Sequence, residues 1–227
     1  SETSISKGTW EAAVVSKDVA LTGAELLLKR NEKVVFSLCR PPGHHAAIDM
    51  FGGYCFLNNA AITGQWFRDK GIQKVSILDI DFHHGNGTQD IFYESEDVLY
   101  ISLHGDPNDA FPHFSGYKEE TGHGAGEGTT LNLPMPPGTR FNEWCDSLKV
   151  SLDKIERFDT EIIIVSLGVD TFEKDPISFF KLESGDFLNI GKLIAELKIP
   201  TLFVMEGGYD IKELGVNVVN VLQGFEG

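Results

Sequence analysis

Short, predominantly apolar runs alternate with longer amphipathic segments along this chain. Runs at 34–38, 74–80, 98–103, 161–167 and 201–205 have the length of strands, and they read as strands buried in a core. Segments 10–30, 58–70, 88–93, 141–157, 184–197 and 211–222 read as helices, the first with Thr9 as its N-cap. Strands alternating with helices predict an α/β fold, a three-layer α/β/α arrangement with a mainly parallel central sheet. The Gly-rich stretch 105–128 has no pattern of either kind. Together with His104 it carries Phe111, His113, Phe114, Tyr117 and His123, and so much aromatic content in a loop reads as pocket lining.

Four of the strand-like runs end on ionisable residues. The second continues as Leu78-Asp79-Ile80-Asp81-Phe82-His83-His84-Gly85-Asn86-Gly87-Thr88, and strand periodicity would turn Asp79, Asp81 and His83 to one face. Three such groups on one face of a core strand are costly to bury without a partner. A divalent metal is one such partner, since carboxylate and imidazole at i and i+2 suit the N and O preference of a zinc site. An Asp–His salt bridge at a strand end is the other reading of the same residues. His44 and His45 follow the first run in Pro41-Pro42-Gly43-His44-His45, Asp170 closes Ser166-Leu167-Gly168-Val169-Asp170, and Tyr209 closes Glu206-Gly207-Gly208-Tyr209. In an open α/β sheet, sites form at the carboxyl ends of the strands, where all of these fall.

Composition narrows the function classes. The 227 residues suffice for one domain spanning 1–227, and 41% apolar content is ordinary for a globular chain. No apolar run approaches the roughly 20 residues that span a bilayer, and the first residues show no signal-peptide pattern. A net charge of −15 with no basic stripe argues against nucleic acid and is compatible with a cationic substrate. Cys39, Cys55 and Cys145 are odd in number and widely spaced, which indicates neither a disulfide framework nor a thiolate zinc site and suits a reducing, cytoplasmic location.

The long motifs PPGHH, GGYCFLNNA, LDIDFHHGNGTQ, SLGVD and EGGY resemble the histone deacetylase family of the arginase-deacetylase fold. The wording of HGDP (104–107), FPHFSGY (111–117) and GVDTFEKDP (168–176) resembles its bacterial acetylpolyamine amidohydrolase branch. The resemblance runs along nearly the whole chain. It implies one Zn²⁺, or Fe²⁺, held by Asp81, His83 and Asp170, with positions left open for water and a substrate carbonyl. It implies His44 and His45 as the acid–base pair, backed by Asp79 and Asn86 respectively. A carboxylate favours the imidazolium more than an amide does, so His44 is expected to be the cation and His45 the general base. Tyr209 is expected to donate to the oxyanion; family members with His there are poor deacetylases. Tyr54 and Phe114 are expected to wall the substrate tunnel. The backbone around Asp79, Asp81, His83, Ser102 and Leu103 is expected to hold K⁺.

Arginases of the same fold hold two manganese ions with extra carboxylates at the positions of Gly85 and Gly168. Glycine at both disfavours a binuclear ureohydrolase. The expected activity is removal of acetyl groups from acetylated polyamines, small cationic amides, with no nucleic-acid or membrane partner and a homodimer by family precedent. A lysine deacetylase of proteins or peptides, and a metal-binding remnant without turnover, are the alternatives. Family members begin well upstream of the helix that opens this chain, so a catalytic domain lacking its N-terminal part is expected.

Overall fold

The computed structural model describes residues 3–30 and 32–227. Its elements are α1 (Thr9–Arg30), β1 (Val34–Ser37), α2 (Asn59–Asp69), β2 (Val75–Asp79), α3 (Asn86–Phe92), β3 (Val98–Gly105), β4 (Thr130–Met135), α4 (Phe141–Arg157), β5 (Ile162–Leu167), α5 (Ser184–Ala195), β6 (Thr201–Met205) and α6 (Leu214–Glu226). The six strands form one all-parallel sheet in the order β1-β6-β5-β2-β3-β4.

Side-chain alternation explains why the central runs are largely apolar on both faces. Ile77, Ile164, Leu202 and Val204 pack on one face with Ala20, Ala24 and Leu27 of α1 and Phe67 of α2. Leu78, Ile163, Val165 and Phe203 pack on the other with Trp144 and Leu148 of α4, Phe187 of α5 and Val221 of α6. Both faces of the sheet are covered, so each position of a central strand must be buried.

Chain order along the sheet creates the place for a site. From β2 the chain moves outward to β3 and β4, whereas β5 returns to pair with β2 on its other side and leads away to β6. The connections therefore diverge between β2 and β5, the switch point at which a crevice opens outside the carboxyl ends of the strands.

Three local readings need correction. Thr9 is the first residue of α1 rather than its N-cap, and its Oγ1 accepts the Ser6 N–H at 2.9 Å. β2 stops at Asp79, so Asp81 and His83 stand in the loop beyond it rather than on one strand face. The edge strand β4 carries no unbroken apolar run: Asn132 and Pro134 interrupt it, and proline is tolerated there because an edge strand leaves N–H groups unpaired. Cys39, Cys55 and Cys145 are free and buried. Among the described residues no helix is long and apolar enough to cross a membrane.

Candidate metal centre and active site

The loop after β2 and the loop after β5 bring Asp81, His83 and Asp170 together, with one ligand atom from each lying within 4.8 Å of the others. His83 Nδ1 lies 2.9 Å from Asp170 Oδ2 and 3.3 Å from Asp81 Oδ1. Backbone donors fix both carboxylates from behind. Asp170 Oδ1 accepts Phe82 N–H at 2.8 Å, Asp81 Oδ2 accepts Gly207 N–H at 2.8 Å, and Asp81 Oδ1 accepts His83 N–H at 2.9 Å. Such outer contacts orient metal ligands.

Charge and space fit a cation here. Burial, then the neighbouring Asp81 carboxylate, pushes Asp170 up to about 7. Burial also acts to raise Asp81, but His44 and His83 outweigh it and hold this carboxyl below its usual range. Two buried carboxylates so close need a positive partner. A Cβ at Gly168 would stand 2.2 Å from Asp81 Oδ2, and one at Gly207 would stand 2.6 Å from the same oxygen and 2.8 Å from Asp170 Oδ2. These glycines form a cradle that a side chain would fill. A Cβ at Gly85 would stand 2.2 Å from Asp79 Oδ2, so neither Gly85 nor Gly168 has room for the carboxylate of a second metal.

His44 and His45 stand beside this centre with ring centroids 4.0 Å apart. His44 Nδ1 donates to Asp79 Oδ2 at 3.0 Å, and its Nε2 lies 3.9 Å from Asp81 Oδ1. Burial lowers the His44 pKa, but the carboxylates of Asp79 and Asp81 prevail and raise it to about 10. His45 Nδ1 donates to Asn86 Oδ1 at 2.8 Å, which leaves Nε2 as a bare acceptor. Burial, then the positive charge of His44 and His83, holds the His45 imidazolium well below its usual range. The pair thus combines a cation with a neutral base.

Glu206 supports the pair from behind. Its Oε2 accepts Gly43 N–H at 2.7 Å and His44 N–H at 3.2 Å, fixing the loop that presents both histidines. His44, Cys55 and Glu206 also converge closely enough to hold a metal. Their chemistry points elsewhere: burial, then the Glu206 charge, raises the Cys55 thiol, and His44 is committed to Asp79.

A cavity of about 250 Å³ opens onto His45, His83 and Tyr209, lined further by Tyr54, Phe111 and Ile177. The Tyr54 and Tyr209 rings lie 6.0 Å apart. Burial, then the charges of Asp81 and Asp170, raises the Tyr209 phenol and keeps it a donor. Phe114 is not part of this wall, since it is 91% exposed. Phe111 takes the place expected of it, packing edge-on against His45 at 5.0 Å. The two phenylalanines are three residues apart in one irregular loop, and sequence spacing does not say which turns inward. Ile177 and Phe179, from the loop after β5, also line the cavity and were not foreseen, because isolated apolar residues in a loop carry no periodic signal.

Ser102 lies in β3 directly opposite Asp79, its Oγ 2.8 Å from His104 Nδ1 and 3.3 Å from His84 Nδ1, with Leu103 buried in the core behind it.

Residues 1–225 match the histone deacetylase domain. The chain belongs to the histone deacetylase family. That family is generally metal-dependent, in keeping with the Asp81–His83–Asp170 cluster. Over 226 residues the chain is 62% identical to the acetylpolyamine amidohydrolase of Mycoplana ramosa, covering 100% of this chain and 66% of that protein. Over 223 residues it is 54% identical to acetylpolyamine amidohydrolase 2 of Pseudomonas aeruginosa, covering 98% and 64%. The crystal structure of an acetylpolyamine aminohydrolase from Burkholderia pseudomallei superposes with a TM-score of 0.94 at 41% identity, covering 97% of this chain and 64% of that one. The chain thus spans about two thirds of the length of these histone deacetylase relatives.

Proposed function

We propose that this chain is the catalytic part of a zinc-dependent amidohydrolase that removes acetyl groups from acetylated polyamines, releasing acetate and the free amine. The observation that carries this reading is the convergence of a neutral base, a metal-ligand imidazole and a phenol donor, His45, His83 and Tyr209, on one cavity. Bound by Asp81, His83 and Asp170, Zn²⁺ would polarise the acetyl carbonyl and lower the pKa of a water; Fe²⁺ suits the same donors. His45 Nε2 takes a proton from the attacking water and later returns it to the departing amine nitrogen. His44, held cationic by Asp79, stabilises the negative charge that develops beside it. The Tyr209 hydroxyl donates to the acetyl oxygen as it gains charge.

The substrate reading draws on the acetylpolyamine amidohydrolases that the chain resembles and on the cavity. At about 250 Å³ it lies below the roughly 300–1,000 Å³ of common small-molecule sites and suits a slender aliphatic arm. The net charge of −15 favours a cationic amine over an anionic one. We further propose K⁺ at the main chain of Asp79, Asp81, His83, Ser102 and Leu103, a cytoplasmic location and a homodimer. The deciding experiment loads the chain with one equivalent of zinc and compares turnover of acetylputrescine with that of an acetyl-lysine peptide. Faster polyamine turnover supports the proposal, and preference for the peptide moves the chain to the lysine deacetylases. Zinc binding with no turnover of either reduces it to a metal-binding remnant.

A further inference from the structure

Asp175 belongs neither to the candidate metal ligands nor to the histidine pair. It is buried in the loop between β5 and α5, and both of its carboxylate oxygens are spent on backbone N–H groups. Oδ1 accepts Ile177 N–H at 3.1 Å, a local turn contact that a neutral side chain could make as well. Oδ2 accepts Tyr209 N–H at 2.7 Å, from a residue 34 positions away on the loop after β6. A buried carboxylate is costly unless each oxygen is used, so the long-range bond accounts for a charged group where a turn alone needs none.

Gly207 is tied through its N–H to Asp81 Oδ2 at 2.8 Å and through its carbonyl to Val169 N–H at 2.9 Å, and the Asp175 bond holds the chain two residues further on. Tyr209 follows Gly207 and Gly208, which have no side chains to pack, and Gly208 adopts a φ of +146°. Asp175 therefore anchors the backbone from which the phenol projects. Through Ile177 N–H the same carboxylate fixes the neighbouring cavity wall, so donor and wall share one anchor.

We propose that Asp175 is a positioning residue for Tyr209, setting the phenol against the substrate carbonyl through the Tyr209 backbone N–H. The inference rests on the reading of Tyr209 as oxyanion donor. Displacements of about 1 Å can cost on the order of 10²-fold in rate, so loss of this anchor has a kinetic signature.

The test is a double-mutant cycle on the zinc-loaded chain. Asp175→Asn and Tyr209→Phe are made singly and together. Turnover of acetylputrescine is measured alongside calorimetric binding of a trifluoromethyl ketone analogue, whose hydrated carbon mimics the tetrahedral state. Asp175→Asn is expected to lower kcat about 10- to 100-fold and to weaken the analogue in parallel, with KM and zinc stoichiometry unchanged. In the Tyr209→Phe background the same substitution is expected to have no further effect. Equal losses in both backgrounds, or no loss in either, overturn the inference and leave Asp175 as a folding residue. If Asp175→Asn does not fold, Asp175→Glu keeps the charge, displaces it by one methylene and is read through the same cycle. A parent chain that binds zinc but neither turns over the amide nor binds the analogue overturns the functional reading itself, a result seen before any variant is compared.

Discussion

Asp79 Oδ2 lies 3.0 Å from His44 Nδ1, a buried carboxylate against a buried imidazole at the carboxyl end of β2. The contact is part of a small network, because the same oxygen accepts the Tyr100 hydroxyl at 3.1 Å and Asp79 Oδ1 accepts Asp81 N–H at 3.2 Å. One residue thus sets both the charge of His44 and the course of the chain into the loop that carries the candidate metal ligands Asp81 and His83. Asp79→Asn is expected to lower both kcat and zinc affinity by roughly 10- to 100-fold, the range found for groups that orient metal ligands. Steady-state kinetics with a competitive zinc chelator reads both quantities, and unchanged values in each would remove Asp79 from the machinery.

His45 has an amide where His44 has a carboxylate, and the difference is testable through pH. Burial and two positive neighbours hold its imidazolium well below the usual range, so His45 is neutral and competent as a base at neutral pH. Asn86→Asp would place a negative charge 2.8 Å from Nδ1 and favour the protonated ring. A raised pKa means that His45 stays protonated to higher pH. The acid limb of kcat/KM is therefore expected to move upward by about one unit or more. A limb that stays in place, or moves to lower pH, would show that His45 does not supply the base.

Metal binding should be separable from turnover. Asp81→Ala removes one of three mutually close donors and leaves only His83 and Asp170. Stoichiometric zinc binding is expected to be lost, together with the stabilisation that zinc gives the parent chain, about 2.7 kcal/mol at a hundredfold excess over Kd and seen as a raised unfolding midpoint. Calorimetry and thermal unfolding with and without zinc check this, and a variant that still binds one equivalent would mean that the ligand set is wrong.

How much of this was legible in the sequence depended on whether a residue sat in a periodic element. The strands β2, β3, β5 and β6 announce themselves because both faces are buried, so they are mostly apolar, and Ser166 is the single polar residue of Ile162–Leu167. β4 escaped for the opposite reason, being an edge strand with Asn132 and Pro134. Asp81, His83, Asp170 and Tyr209 were legible because each stands just beyond a clear strand and is polar where the pattern is apolar. Asp175 and Ile177 gave no such signal. Their importance lies in which backbone N–H groups and cavity they reach, and that is fixed only when the loops after β5 and β6 meet.

The same limit explains the exchange of Phe114 for Phe111, which makes the last prediction. Phe111 and Phe114 are equally apolar and lie in one irregular loop, yet Phe111 packs edge-on against His45 at 5.0 Å while Phe114 is 91% exposed. Phe111→Ala removes a ring from the cavity wall opposite the substrate arm. It is expected to raise KM for acetylputrescine about tenfold or more, in line with the roughly 0.5–1.5 kcal/mol of an aromatic contact plus the area it buries. Phe114→Ala removes a ring that covers nothing and is expected to change KM less than twofold. Kinetics of the two single variants side by side decides the matter, and the reverse ranking would return Phe114 to the tunnel wall.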